Sequence, residues 1–325
     1  MNRRKFVRLI GVTAIWPLTA RAQNAKLPTI GVLASTRLTD GQIAAFHDGL
    51  GETGYVEGRD VSLLFHSAEG NFDRLPGLAA DLVNRQVAVI VAMASPLPAR
   101  AAKAATSTIP IVFAYAGDPV EDNLVTNFNR PEGNVTGATF IGATLSSKRL
   151  ELLNEIVPGL TDVAILVNPK GGLAEGQVRE TEAAVRTTGQ RLHVVNAGNS
   201  NEIDAAFADI ARLNAKGLLV SADAALSNPF VDQIVALAAR HRLPAMYANL
   251  TFGNAGGLIT YGVDARSTWR QAGIYTGRIL KGEKPGNLPV VQPTKFDLIV
   301  NLKTARALGL TISEAFLLRA DKVIE

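Results

Sequence analysis

A repeated alternation of short apolar runs and helical patterns constrains this chain more than any other feature. Five runs rich in β-branched residues occur in the first half: Thr29–Ser35, Asp60–His66, Val87–Met93, Pro110–Ala116 and Val135–Ile141. Runs that are apolar without strict alternation predict strands buried on both faces, as in a parallel sheet. Between them, Asp40–Gly54 and Asn71–Gln86 carry apolar residues three and four apart, which predicts helices. This half therefore predicts a doubly wound α/β lobe.

The same layout starts again about 130 residues later. The second set of predicted strands is Asp162–Asn168, Arg191–Ala197, Gly217–Asp223 and Pro244–Asn249. A supersecondary layout repeated at this length predicts two lobes of similar topology rather than a short-period solenoid.

The tail after Tyr261 is too short for a third domain. It holds a predicted helix Ser267–Lys281, a proline-rich stretch, a strand Phe296–Leu302 and a helix Lys303–Leu310. We expect the tail to complete both lobes by crossing between them, with crossings near residues 142, 252 and 284. The predicted division is 23–141 plus 253–283 for lobe 1 and 142–252 plus 284–325 for lobe 2.

Residues 1–22 have the layout of an export signal. They hold five cations and no carboxylate, an apolar run of about a dozen residues, and the triplet Ala20-Arg21-Ala22. The pattern predicts cleavage after Ala22, and the run is too short to anchor the chain in a bilayer. The order Arg3-Arg4-Lys5-Phe6-Val7-Arg8 resembles the twin-arginine consensus, with Sec export as the alternative.

Charge and cysteine usage narrow the possible partners. The chain has 33 Lys plus Arg and 29 Asp plus Glu, so removal of five cations with the signal leaves a nearly neutral protein. No cluster of cations remains that would bind nucleic acid. The absence of cysteine excludes disulfides, thiolate metal sites and a lipidated N-terminal cysteine. We expect a monomeric, freely diffusing periplasmic protein.

The sequence contains no recognisable catalytic arrangement. Its four histidines are scattered, and no H-E-x-x-H, G-x-S-x-G or phosphate-binding P-loop motif occurs. No glycine-rich dinucleotide fingerprint follows the first strand, where LASTRLTD stands instead. We therefore expect no enzyme activity, no cofactor and no metal.

Two α/β lobes joined by several crossings predict a ligand cleft at the carboxyl ends of both sheets. The candidate binding residues at these strand ends are Ser35, Thr36, Ser95, Pro96, Leu97, Gly117, Asp118, Asn168, Asp223, Tyr247, Asn249, Tyr261 and Gly262. Backbone N–H groups and the helix dipole at such ends favour a carboxylate. Structural roles stay open as alternatives: Asp118 and Ser95 as caps, Asn168-Pro169 as a turn, and the tyrosines as core residues.

Several stretches resemble one transport family. They are FHDGLGETGYVEGRDV, AEGNFDRLPGLAADLVNRQVAVIVA, AAKAATSTIPIVFAYAGDPV, NRPEGNVTGATF, KRLELLNEIVPGLTDVAILVNP and FDLIVNLKTARALGLTIS. Together they are similar to the tryptophan/tyrosine-type substrate-binding proteins of ABC transporters. The resemblance implies a type I periplasmic-binding fold, with two Rossmann-like lobes that close on a small ligand and dock on a membrane permease.

The resemblance also implies an aromatic amino acid or related carboxylate as ligand. Asp223 and Asp118 are the candidate acceptors for its ammonium, and Ser35, Thr36, Ser95 and the amides near Leu97 are candidate donors to its carboxylate. Tyr115, Tyr247, Phe252 and Tyr261 are candidates for an apolar wall. Two other functions are alternatives. A periplasmic sensor for a signalling partner would use the same fold and cleft. An exported hydrolase would need a nucleophile and a base, and no such pair is found.

Overall fold

The computed structural model describes residues 27–140 and 145–325. The predicted export signal with its cleavage site, and the expected crossing near residue 142, lie outside the described residues. Within those ranges no helix is both long and apolar enough to cross a bilayer.

The first lobe is built on a five-stranded parallel sheet in the order β2-β1-β3-β4-β5. Its strands β1 to β5 are Thr29–Ala34, Ser62–Ser67, Val89–Met93, Ile111–Ala116 and Val135–Phe140. The central strands β3 and β4 are buried along their whole length, which agrees with their unbroken apolar sequences. Two apolar clusters, one on each face, hold this sheet to its helices.

The second lobe is built on a seven-stranded sheet in the order β12-β11-β10-β9-β8-β6-β7. Its strands β6 to β12 are Asp162–Val167, Arg191–Asn196, Gly217–Val220, Ala245–Tyr247, Ile259–Gly262, Asp297–Asn301 and Lys322–Ile324. Strand β11 runs antiparallel to β10, and the other pairs are parallel. The order β7-β6-β8-β9-β10 repeats that of the first sheet, so the prediction of two lobes with similar topology is confirmed.

Twelve helices cover the faces of the sheets in the described residues. In chain order α1 to α12 are Asp40–Glu52, Leu75–Asn84, Pro96–Ala105, Ser146–Ile156, Ala174–Thr188, Ser200–Arg212, Ala224–Ser227, Val231–Arg240, Thr251–Asn254, Ala265–Leu280, Leu302–Leu308 and Glu314–Leu317. Most of the longer helices follow a strand, as the alternation predicts.

Two of the expected crossings lie later in the chain than the sequence suggests. Strand β10 pairs with β9 in the second sheet, so the chain leaves the second lobe after Gly262 rather than near residue 252. Residues up to 291 still bond to the first lobe, because Leu288 accepts a hydrogen bond from Thr136 Oγ1 at 2.7 Å and Val291 N donates to Gly137 O at 3.1 Å. The return follows Val291 rather than residue 284.

Helix α10 is fastened to the first lobe by close backbone contact with α1. A Cβ atom at Gly273 would lie 2.2 Å from the carbonyl oxygen of Phe46, and one at Gly49 would overlap the carbonyl of Arg270. Arg270 also pairs with Glu52 on α1. Because only glycine permits this approach, α10 belongs to the first lobe although it follows a strand of the second.

Candidate functional site

A cavity of about 920 Å³ lies between the two lobes. The first lobe contributes the loops after β1 and β2, at residues 36–39 and 69–72. The second lobe contributes the segments after β6, β7 and β8, at residues 168–170, 198, 199, 202, 225 and 228–230. All five segments follow the carboxyl ends of parallel strands, which is where open α/β sheets bind ligands.

The first-lobe wall begins helix α1. Thr39 caps this helix by accepting a hydrogen bond from Gln42 N at 3.3 Å, while Gln42 Oε1 accepts one from Thr39 N at 2.8 Å. The capping residue Thr39 lines the cavity, so the positive end of the helix dipole faces it. Arg37 adds a cation to the same wall, and Phe72 supplies an aromatic ring.

The second-lobe wall begins helix α6. Asn199 caps it by accepting a hydrogen bond from Glu202 N at 3.0 Å, and the Glu202 carboxylate accepts one from Gly198 N at 2.7 Å. Lys170 and Phe230 complete this side of the cavity. Together the two walls present two cations, two carboxylates and two phenyl rings, an arrangement suited to a solute that carries both charges and an apolar part.

Among the predicted residues, Thr36 and Asn168 line the cavity. Asn228 Nδ2 donates to Thr36 Oγ1 at 3.4 Å across the cleft, and Asn168 Oδ1 accepts from Lys170 N at 3.1 Å within its turn. Ser35 lies buried beneath this surface, where its carbonyl accepts a hydrogen bond from Gly70 N at 2.9 Å.

Asp223 lies directly behind the cavity wall. It is 5% exposed, and its Oδ1 caps α7 by accepting a hydrogen bond from Ala225 N at 2.7 Å. The Asn168 side chain lies close enough to this carboxylate to lower its pKa. Burial raises the pKa of Asp223 from its ordinary value of 3.8 to about 6, and the hydrogen bonds offset only part of that rise.

Three predicted residues after β3 lie at the contact between the lobes. Ser95 caps α3 by accepting a hydrogen bond from Leu97 N at 3.3 Å. Pro96 and Leu97 face Gly172 of the second lobe, with side-chain atoms 3.1 and 3.2 Å from where a Cβ at residue 172 would lie.

The loop after β4 contributes two more predicted residues. Gly117 faces Leu173 of the second lobe. Asp118 closes a turn, its carboxylate accepting hydrogen bonds from Val120 N at 2.7 Å and Glu121 N at 3.2 Å. The capping alternative for Asp118 therefore describes its local geometry.

Four predicted residues lie away from the cavity. Tyr247 is buried in the second-lobe core and stacks on Phe252 with ring centroids 4.5 Å apart. Asn249 caps the next turn, Tyr261 packs beside the ring of Phe296, and Gly262 lies against the backbone of residue 248. The cavity opens over β1, β2, β6, β7 and β8, whereas these four residues lie within or just after β9 and β10.

Several cavity residues that the sequence analysis did not select follow the edge strands β2 and β7, while others, such as Lys170 and Phe230, follow β6 and β8. Glu69, Gly70 and Asn71 follow β2, and Gly198 and Asn199 follow β7. Both loops place the pair Gly-Asn at the cavity. That shared dipeptide, at corresponding positions of the two repeats, is the signal by which they were identifiable.

Comparisons with known proteins agree with this architecture. Residues 30–324 match the family model described as ABC transporter substrate binding protein. The chain is similar to the tyrosine-binding protein of Clostridioides difficile strain R20291, with 25% identity over 271 residues, 82% of this chain and 75% of that protein.

Two solved structures are similar in both sequence and shape. A conserved domain protein from Vibrio cholerae shares 27% identity with a TM-score of 0.84, and the ABC domain in complex with L-Trp from Streptococcus pneumoniae shares 25% with a TM-score of 0.82. Each match covers 92% of this chain and 100% of the other.

More distant neighbours include a periplasmic solute-binding protein with bound D-allose, at 18% identity and a TM-score of 0.55, which supports the type I periplasmic-binding fold. Since the family model spans nearly all of the described residues and the cleft lies where that fold places it, the chain belongs to the ABC transporter substrate-binding protein family.

Proposed function

We propose that this protein captures an amino acid with an aromatic or other apolar side chain and delivers it to the permease of an ABC importer. The observation that carries the proposal is the interlobe cavity, whose walls combine helix N-termini, charges of both signs and phenyl rings. The L-Trp complex of one relative and the tyrosine-binding name of another support the ligand class.

The cavity is built from loops of both lobes, so its contacts with a solute are complete only when the lobes meet. A solute then shifts the equilibrium towards the closed arrangement by its difference in affinity for the two forms. The closed form presents a surface to the permease that the open form lacks. We infer that this cycle takes place in the periplasm, because residues 1–22 have the layout of an export signal, and that the protein acts by binding.

The charges suggest how a zwitterion would be held. The starts of α1 and α6, with Arg37 and Lys170, suit the carboxylate of the ligand. Glu69 and Glu202 line the cavity as acceptors for the ammonium, and Asp223 is a third acceptor behind the wall.

Isothermal titration with four compounds tests this proposal. L-tryptophan and L-tyrosine are expected to bind, whereas indole-3-propionate, which lacks the ammonium, and tryptamine, which lacks the carboxylate, are expected to bind at least tenfold more weakly. Glu202→Gln should weaken the binding of L-tryptophan but leave the affinity for indole-3-propionate unchanged. The proposal fails if none of the amino acids binds, or if removing either charge from the ligand has no effect.

A further inference from the structure

The lobes touch through an apolar contact centred on Leu173. This residue precedes helix α5 of the second lobe and is 6% exposed, yet the apolar cluster around it belongs to the first lobe and includes Tyr115 and Ala116. Leu97 packs against the same cluster. The side chain of Leu173 thus lies in a socket supplied by the other lobe.

The socket depends on a glycine. A Cβ atom at Gly117 would lie 2.8 Å from Leu173 Cδ2, so the leucine methyl occupies space that any other residue at this position would fill. The φ of +148° at Gly117 is also one that other residues rarely adopt. On the second lobe, Gly172 brings the chain against Pro96 and Leu97.

Hydrogen bonds within the first lobe hold the socket in shape. Tyr115 Oη donates to Asp122 Oδ2 at 2.6 Å, and Arg100 Nη2 donates to Asp122 Oδ1 at 2.6 Å. The Thr139 hydroxyl donates to the carbonyl oxygen of Gly117. Because these bonds lie entirely in the first lobe, the socket is formed before the lobes meet.

The polar contacts between the lobes are weaker by comparison. Arg179 and Glu121 approach to 3.4 Å with both side chains 68% exposed, a geometry that contributes little in water. The hydrogen bond between Asn228 and Thr36 is long, at 3.4 Å. Burial of Leu173 is therefore the largest single contribution that we identify to contact between the lobes.

We propose that Leu173 is a closure residue, which holds the two lobes together through contacts that belong to the protein alone. Both partners of this contact are protein groups, so its free energy is independent of a solute. A fraction of the molecules is then closed before a solute binds. The apparent affinity for the solute is the affinity of the closed form multiplied by that closed fraction. This inference deepens the closure step of the proposed function, but its test requires no solute.

The absence of cysteine allows two unique labels to report the distance between the lobes. Asp73→Cys and Asn201→Cys place spin labels on exposed residues of opposite lobes, next to cavity-lining segments. In this background we expect Leu173→Ala to lower the ratio of short to long distances by roughly tenfold. Leu318→Ala, at a leucine that is 82% exposed in the second lobe, should leave the ratio unchanged.

Leu173→Met and Leu173→Gln form a second comparison in which side-chain size is nearly constant. Methionine should keep the short distances and glutamine should lose them, which keeps the test decisive if truncation to alanine impairs folding. The proposal is overturned if Leu173→Gln, folded by circular dichroism, keeps the distance distribution of the parent. Failure of L-tryptophan and L-tyrosine to bind would overturn the proposed function and leave these distances unaffected.

Discussion

Replacing Asp223 with asparagine should stabilise the protein at neutral pH. The carboxylate is 5% exposed, and its burial raises its pKa from 3.8 to about 6. The folded protein therefore binds a proton more tightly than the unfolded chain does. Between about pH 4 and pH 6 the folded state carries more protons, so the free energy of unfolding falls as the pH rises through this window and then stays level.

The size of the expected stabilisation follows from the pKa shift of Asp223. Each unit corresponds to about 1.4 kcal/mol, so a rise of about two units costs the folded state about 3 kcal/mol above pH 6. Asparagine is neutral and similar in shape, and its oxygen can still accept the hydrogen bond that Ala225 N donates to Asp223 Oδ1. We expect Asp223→Asn to raise the free energy of unfolding at pH 7.5 by about 1–3 kcal/mol, because the weaker cap offsets part of the gain.

Urea unfolding of the two proteins at pH 4.5 and pH 7.5 measures this difference directly. The stabilisation should be small at pH 4.5, where the wild-type carboxyl group is largely protonated, and should reach its full value at pH 7.5. Asp264→Asn, at the exposed cap of α10, controls for the same chemical change without burial. A difference between wild type and Asp223→Asn that is equal at both pH values would refute the reasoning.

Two further substitutions test the packing of the first lobe. Gly273→Ala should lower the free energy of unfolding by about 1–3 kcal/mol, because its Cβ would lie 2.2 Å from the carbonyl oxygen of Phe46. The control Gly41→Ala, where no atom lies within 4 Å of the new Cβ, should not lower the free energy of unfolding. An equal loss of stability in both variants would contradict the close-contact argument. Tyr115→Phe should cost about 1–3 kcal/mol in urea unfolding by removing the 2.6 Å hydrogen bond to buried Asp122, and unchanged stability would show that this bond is dispensable.

The fold was largely predictable because burial leaves a strong mark on parallel strands. The strands Val89–Met93 and Ile111–Ala116 lie inside the predicted runs, and the order of the second sheet repeats that of the first. The second crossing was misplaced because Ile259–Gly262 has only four residues, and its membership of a lobe depends on pairing with a distant strand. Such pairing leaves no local trace in the sequence.

The site was predictable only in outline. Thr36 and Asn168, selected because they follow strands, line the cavity, but the same criterion selected Tyr247, which lies in the core. The distinction depends on which strands of each sheet lie beside the cavity, and this follows from how the lobes are joined rather than from any one strand. The charged pair Glu69 and Glu202 was missed because its loops follow exposed edge strands with weak apolar patterns.

The loop between β6 and α5 connects solute contact with closure. Residues 168–170 line the cavity, a Cβ at Gly171 would overlap the Asp223 carboxylate, and Leu173 fills the socket of the first lobe. A shift of this loop must therefore alter the cavity wall, the buried carboxylate and the interlobe contact together. The apparent affinity for a solute depends both on its contacts and on the fraction of closed molecules. Substitutions in this loop should consequently change both the contacts with the solute and the fraction of closed molecules. Substitutions at Glu69, in the first lobe, should change only the contacts with the solute.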